Sequence, residues 1–241
     1  MLETSRFMRT ELLLGADKMQ KLRSATVMIV GVGAVGGYAL EAIARSGVGT
    51  IIVVDFDTFD ETNINRQILA LNSTIGQKKV EVAKARVIDI NPECNVITID
   101  AFVNGDNISE LLSRKIDFVI DAIDTVSSKC LLLSELVKRD IRFISSMGAA
   151  LRTDTSCIKV STLDKTQNCG LAKSIRSHLR QNGVDLKRIR CVYSNEQNQH
   201  LGVLQNSHKG EKSILGSLPT ITAIFGLIAA NEAIKILTSD N

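Results

Sequence analysis

Three glycines spaced as Gly31-x-Gly33-x-x-Gly36, two carboxylates at Asp55 and Asp57, and the polar string Asn63-x-x-Arg66-Gln67 fall within one short stretch of the chain. Each residue type suits a different part of a nucleotide. Gly31 permits a tight turn, Gly33 lets the backbone approach a phosphate, and Gly36 lets a new helix lie close on a sheet. Free amides at that helix start attract anions. Asp55 follows the last glycine by about 20 residues, where a carboxylate accepts hydrogen bonds from ribose hydroxyls. An NAD-binding protein would account for this much. It would not account for Asn63, Arg66 and Gln67, or for the later Gly76-Gln77-Lys78-Lys79. Arg66 and Lys79 are cations of the kind that neutralise phosphate, and arginine can bind two oxygens at once. Asp124, in Asp121-Ala122-Ile123-Asp124, ends an apolar run and is a candidate to hold Mg²⁺ against phosphates. The alternative is a capping role for a helix starting near Val126.

The elements that must position these residues alternate along the chain. Thr26-Val-Met-Ile-Val30 is a β-branched apolar run of the sort that forms a buried parallel strand. The pattern then predicts a helix over 33–46, a strand over 50–55, a helix over 78–90 and a strand over 95–100. A strand over 117–121, a helix over 127–139 and a strand over 142–146 follow. This is the order of an α/β, Rossmann-like doubly wound, mostly parallel sheet, whose strand ends gather ligands along one edge. Past Gly148 the pattern becomes irregular: a strand over 157–161, a basic helix, a strand over 189–193, a loop over 202–217 and a last apolar helix. That loop, with Asn206, Ser207, Lys209 and Gly210, is expected to be a mobile crossover above the site, ordering with substrate. With 241 residues and 44% apolar content the chain can bury a full core. We expect one domain over 1–241, a nucleotide-binding half (20–150) carrying an appended C-terminal half (151–241).

Taken together, the glycine turn, Asp55-x-Asp57, Asn63-x-x-Arg66-Gln67, Gly76-Gln77-x-Lys79 and Asp121-x-x-Asp124 resemble the ubiquitin-activating superfamily, including its bacterial ThiF and MoeB members. Those enzymes adenylate a carboxylate with ATP. The resemblance implies Asp55 on the ribose, Asn63, Arg66 and Lys79 on the phosphates, and Asp124 on Mg²⁺, with Gly31, Gly33, Gly36, Asp57 and Gln67 completing the nucleotide site. Arg6-Phe-Met-Arg9, just before the first helix, is similar to the family's N-terminal arginine motif. The resemblance implies a homodimer in which Arg9 enters the partner's ATP site, with the apolar 218–237 segment as a pairing surface.

The second half resembles the tRNA threonylcarbamoyladenosine dehydratase branch. The matching pieces are Ser145-Ser-Met-Gly148, Leu163-Asp-Lys-Thr166 running into Leu171-Ala-Lys173-x-x-Arg176, Val192-Tyr-Ser-Asn-Glu196 and Gly216-Ser-Leu-Pro219. Asn168-Cys169-Gly170 departs from the branch, standing where an Asp-Pro pair is expected. The implied substrate is tRNA carrying threonylcarbamoyladenosine, cyclised beside the anticodon after ATP adenylates its threonyl carboxylate. A monovalent cation and a cysteine-desulfurase/sulfur-acceptor system are further candidates for cofactor and partner. The alternative is a MoeB-like adenylyltransferase acting on the C-terminal glycine of a small sulfur-carrier protein. Zinc-bearing members carry two Cys-x-x-Cys pairs, whereas Cys94, Cys130, Cys157, Cys169 and Cys191 stand singly, so no structural zinc is expected.

The remaining features narrow the setting. Net charge is only +3, but between Lys165 and Arg190 seven basic side chains face Asp185 alone. Such a stretch suits tRNA phosphates, or forms a solvated helix face. Aromatics are 4% and do not interleave with it, so no stacking platform for single strands is indicated. Single cysteines and the lack of a signal peptide point to the cytoplasm. The uncharged run over 214–230 is broken by Pro219, so we expect a buried or dimer-facing helix and no membrane span.

Overall fold

The computed structural model describes residues 6–197, 203–204 and 214–239. Two short helices, α1 (Met8–Leu14) and α2 (Ala16–Ser24), lead into β1 (Thr26–Val30), α3 (Gly36–Arg45) and β2 (Thr50–Val54). There follow α4 (Lys79–Ile90), β3 (Asn95–Ile99), α5 (Ile108–Leu111), β4 (Phe118–Asp121), α6 (Val126–Lys138) and β5 (Phe143–Ser146). The C-terminal half supplies β6 (Ile158–Thr162), α7 (Gly170–Gln181), β7 (Arg190–Ser194), the short pair β8 (Val203–Leu204) and β9 (Ile214–Leu215), and α8 (Pro219–Thr238).

Seven strands form one sheet in the order β3-β2-β1-β4-β5-β7-β6. All neighbours are parallel except β6, which runs antiparallel to β7 at the edge. Strand order reverses its direction of growth between β1 and β4, which opens a crevice at their carboxyl ends. Both halves of the chain thus build one sheet. Strands β1 and β2 are continuous apolar runs because both their faces are covered. Val27, Ile29, Ile51 and Val53 enter the core shared with α3 and α8, while Met28, Val30, Ile52 and Val54 enter the opposite layer beside α6 and α7.

Helix α8 packs closely on the start of α3. Pro219 occupies its first turn and starts the helix, as a residue with φ fixed near −65° can. Farther along, Gly226 lies on the start of α3 so closely that a Cβ there would stand 2.3 Å from the Val35 carbonyl. Among described residues α8 is the one helix long and apolar enough to cross a membrane, yet half of that stretch is buried against the protein.

Element boundaries fall close to the expected ones. The largest shift is at α3, which begins at Gly36 and not at Gly33. Gly31 adopts φ 87°, and the backbone from Gly33 to Val35 forms an open turn before the helix closes. A first helix was expected just after Arg9, and α1 begins at Met8; helices α2 and α5 were not anticipated as elements. Most of the expected crossover loop lies outside the described residues. Its C-terminal end is described: Leu151 N–H donates to Gly216 C=O (2.9 Å), and the Asn65 amide reaches Ser217 C=O (3.4 Å).

Candidate nucleotide site

The glycine turn is held from below by an acid. Val32 N–H donates to one Asp55 carboxylate oxygen (2.7 Å) and Asp57 N–H to the other (2.9 Å), and Asp55 is buried. The turn therefore owes its shape to the residue expected on ribose. Each carboxylate oxygen has a second lone-pair direction, so Asp55 retains acceptor capacity beyond these bonds. Gly36 cannot be replaced without collapse of the turn, because a Cβ there would sit 1.7 Å from Gly31 C=O.

Beside the turn, Lys79 opens α4 with its long side chain buried and its Nζ 2.9 Å from Asp57 Oδ2. The ammonium lies 5.9 Å from the Phe59 ring centroid. Asp57 is about half exposed, so the pair presents a desolvated cation and a partly wet anion at the edge of the crevice. Gln67 is buried with its amide against Gly33, and among the described residues its Oε1 has no hydrogen-bond partner. An orphaned buried acceptor costs roughly 1–3 kcal/mol, which a ligand donor at the turn would relieve.

Asn63 ends the 3-10 turn Glu61–Asn63, and Arg66 lies in the turn that follows it, just ahead of Gln67. Asn63 Oδ1 accepts from Asp60 N–H (3.3 Å) while the Asp60 side chain accepts from Asn63 N–H, which closes a capping box, and Thr62 N–H also donates to Asp60 (2.8 Å). The Thr62 hydroxyl, and after it the Thr62 N–H, hold the Asp60 carboxyl below its ordinary range. Arg66 Nη1 donates to Thr62 C=O and to Asn65 Oδ1, both at 2.8 Å, leaving other guanidinium donors for a ligand. Asp124 lies three residues beyond the end of β4 and is exposed, touched by the Thr125 hydroxyl at 3.3 Å. The cap of α6 is Thr125, without a side-chain capping bond, so Asp124 is not serving as a helix cap. One exposed carboxylate is a donor set that suits Mg²⁺ arriving with a triphosphate, since Mg²⁺ is held by one or two carboxylates plus substrate oxygens.

Polar contacts thus join Val32 of the turn, Asp55, Asp57 and Lys79, the Gln67 amide lies beside Gly33, and the segment ahead of Asp124 packs on the turn: a Cβ on Gly31 would be 3.0 Å from Ala122 C=O. Among the described residues, Arg9 is joined to the site by no hydrogen bond or ion pair. It lies inside α1 as the second helical residue, and not ahead of the first helix as expected, with its side chain exposed.

Two features escaped the sequence. Phe56 and Phe102 meet edge-on (5.0 Å, 86°) at the ends of β2 and β3, each partly exposed beside Asp55 and Asp57. Beneath Asp124, Asp121 forms a fully buried ion pair with Lys129. The only sequence signal for it was a lysine set immediately before the apolar run Cys130–Leu133. The buried cysteines are poorly suited to nucleophilic work. Burial pushes the Cys130 thiol up to about 11 and, against the pull of Lys129, the Cys191 thiol up to about 12, so both stay protonated at neutral pH.

The basic stretch is less available than its composition suggests. Arg176 donates to Thr166 C=O (3.0 Å) and to its hydroxyl, Arg188 pairs with Asp140, and Arg190 Nε bonds Glu232 Oε2 on α8 at 2.8 Å. Arg188 and Arg190 stay about half exposed within these pairs, and Lys165, Lys173, Arg180 and Lys187 are exposed without a comparable pair among the described residues.

A glycine turn, a buried lysine and a free strand-end carboxylate at a switch point define a nucleotide-binding α/β protein. The chain belongs to the ThiF family, whose profile matches residues 5–241. It is 45% identical over 190 residues to the tRNA threonylcarbamoyladenosine dehydratase of Bacillus subtilis (strain 168), an alignment spanning 79% of this chain and 74% of that one. The crystal structure of the Escherichia coli enzyme, TcdA, in complex with ATP superposes with a TM-score of 0.89 at 36% identity, covering 96% of this chain and 93% of that chain. A molybdopterin-synthase adenylyltransferase of Haemophilus influenzae is 30% identical over 220 residues, 91% of this chain and 77% of the relative.

Proposed function

We propose that this chain is an ATP-dependent tRNA threonylcarbamoyladenosine dehydratase. The observation that carries the proposal is the convergence of Lys79, Asp57, Gln67 and the Gly31–Gly36 turn on one crevice in a chain 45% identical to the Bacillus enzyme. The threonyl carboxylate attacks the α-phosphorus of ATP and pyrophosphate leaves. The carbamoyl group of the same modification then attacks the activated acyl carbon, AMP departs, and a five-membered ring closes with net loss of water.

The residues supply position and charge. The glycine turn and the α3 amides cradle phosphate, and Asp55 has acceptor capacity left for ribose. Lys79, already desolvated, and Arg66, swinging from Thr62 and Asn65, neutralise charge developing at the α-phosphate. Asn63 adds an amide there. Asp124 holds Mg²⁺, which supplies Lewis-acid neutralisation of the phosphate oxygens. No protein nucleophile is needed, which agrees with protonated, buried Cys130 and Cys191.

A two-fold homodimer completes the site in this proposal. Support comes from the exposed Arg9 and from the apolar surface of Leu12, Leu13, Leu218 and Leu227. Mixing an Arg9→Ala chain with a Lys79→Ala chain should restore part of the activity, because one hybrid site regains both cations. Mixed dimers without activity would defeat the shared site. The enzyme would work in the cytoplasm, where its tRNA is, without a membrane. Incubation with ATP and either modified tRNA or a small sulfur-carrier protein, followed by nucleoside and protein mass spectrometry, tests the assignment. Cyclised nucleoside supports it; an adenylated carrier C-terminus with unchanged tRNA would transfer the chain to the MoeB-like activity.

A further inference from the structure

The fold places a fully buried ion pair directly under the ligand edge of the sheet. Asp121, the last residue of β4, and Lys129, on α6, have no exposed surface, and Nζ stands 2.7 Å from Oδ2. The Ser145 hydroxyl donates to the same oxygen from β5 (2.6 Å). The other bonds of the pair converge on a single residue. Asp121 Oδ1 accepts from Ile123 N–H (3.1 Å), and Lys129 Nζ donates to Ile123 C=O (2.9 Å). The pair grips both polar groups of Ile123, the residue immediately before Asp124.

Stability alone is a poor reason for such a pair. Desolvating two charges largely offsets their attraction, and apolar side chains of similar volume often serve a core as well or better. What apolar residues cannot supply is a two-sided hold on a backbone that has just left its strand. Among the described residues, the Asp124 carboxylate has no side-chain partner beyond the Thr125 hydroxyl. Its location therefore depends on the backbone beneath it. The same segment packs on the glycine turn, with Ile123 N 3.4 Å from where a Gly31 Cβ would be. The clamp thereby ties the strand-end carboxylate to the phosphate-binding turn.

We propose that Asp121 and Lys129 are positioning residues for Asp124, fixing where its carboxylate stands relative to the glycine turn; this rests on the assignment of Asp124 to Mg²⁺ made above. Misplacement by about 1 Å can cost on the order of 10²-fold in rate. Lys129→Met alone strands a buried carboxylate, so the informative variant is Asp121→Asn/Lys129→Met. It is neutral and nearly isosteric, keeps an oxygen for Ile123 N–H and loses the bond to Ile123 C=O. Ser145→Ala, which removes only the hydroxyl on Oδ2, is a milder second variant that keeps both charges.

Three measurements on the full chain decide the matter: thermal melting, amide hydrogen exchange at Ile123–Thr125 without metal, and affinity for a fluorescent ATP analogue against Mg²⁺ concentration. For the double variant we expect a melting midpoint near wild type, faster exchange confined to Ile123–Thr125, and an Mg²⁺ requirement raised about tenfold, well within the range of such misplacement. Ser145→Ala should move exchange and Mg²⁺ requirement the same way by less. Unchanged exchange and Mg²⁺ requirement in whichever of these variants folds would overturn the clamp. Asp124→Asn, measured in parallel, separates the two claims. If it shifts the Mg²⁺ requirement while the clamp variants do not, only the clamp fails. A wild-type Mg²⁺ requirement in Asp124→Asn removes the metal assignment, and the clamp's purpose goes with it.

Discussion

The crevice from Gly31 to Asp124 and the basic stretch from Lys165 to Arg190 looked alike in sequence, as concentrations of chemically capable side chains. In the fold they differ. Around the crevice, engaged groups still leave something free: Arg66 has unused donors, Gln67 Oε1 has no partner among the described residues, and Asp124 faces solvent. In the basic stretch, Arg176, Arg188 and Arg190 are tied to Thr166, Asp140 and Glu232, and they hold elements together. A motif whose spacing dictates mutual geometry reports chemistry. A count of charges does not, because it is blind to partners distant in sequence.

The sharpest way to break this comparison is at Asp124. Asp124→Ala should abolish AMP formation and leave the melting midpoint unchanged, since an exposed strand-end carboxylate contributes little to the core. Near-normal turnover would mean that the free carboxylate is not the metal ligand. Arg66→Ala and Lys79→Ala should come next, each costing about 2–4 kcal/mol of transition-state stabilisation, the scale for one preorganised charge-stabilising donor. Unchanged kcat/KM in both variants would return the crevice to a dinucleotide-binding role, and NADH binding that ATP fails to displace would then be the finding to look for.

How much of this was legible depended on the distance between partners. Strands β1, β2 and β4 were readable because both their faces are buried and their apolar runs are unbroken. The glycine turn was readable because its three glycines act within a few residues of one another. The start of α3 was misjudged by three residues, since the extra turn is stabilised by Asp55 from another strand. Lys129 was passed over because its partners, Asp121 and Ile123 C=O, become neighbours only when α6 folds back on the end of β4. The closeness of α8 to α3 at Gly226 has no local signature, because that glycine answers to the Val35 carbonyl of another helix.

A structural ion pair inside the nucleotide half offers a pH test. Arg86 grips Glu41 with two hydrogen bonds of 2.8 Å, joining α4 to α3, and Arg45 adds a third. Burial alone would raise the Glu41 carboxyl, but these arginines outweigh it and hold it below 4.5. A depressed folded pKa means stability that is present above the unfolded value and lost as pH falls through the folded one. Glu41→Gln should therefore melt earlier than wild type at pH 7, with the two curves converging as pH drops below about 4.5, the ordinary glutamate range. A gap that persists at low pH would mean that packing, and not charge, holds these helices.

The smallest expected effect tests the comparison most directly. If the proposed tRNA binds along α7, only its free cations can displace counterions, and each one removed should lower the salt slope of binding by about 0.9. Lys173 and Arg180 project from the solvent face, opposite Ala172, Ile175 and Leu179 in the core. Lys173→Ala and Arg180→Ala should thus each reduce both affinity and slope, leaving the melting midpoint nearly constant. Arg190→Ala should do the reverse. It leaves Glu232, nearly buried on α8, with only the longer contact to Lys235 at 3.3 Å, so the midpoint falls while the slope holds. Filter binding of modified tRNA across a salt series, with melting curves for the same variants, distinguishes the patterns. If Arg190→Ala lowers the slope as much as Lys173→Ala does, then pairing with Glu232 does not withdraw that arginine from nucleic acid, and the contrast between the two regions is one of degree.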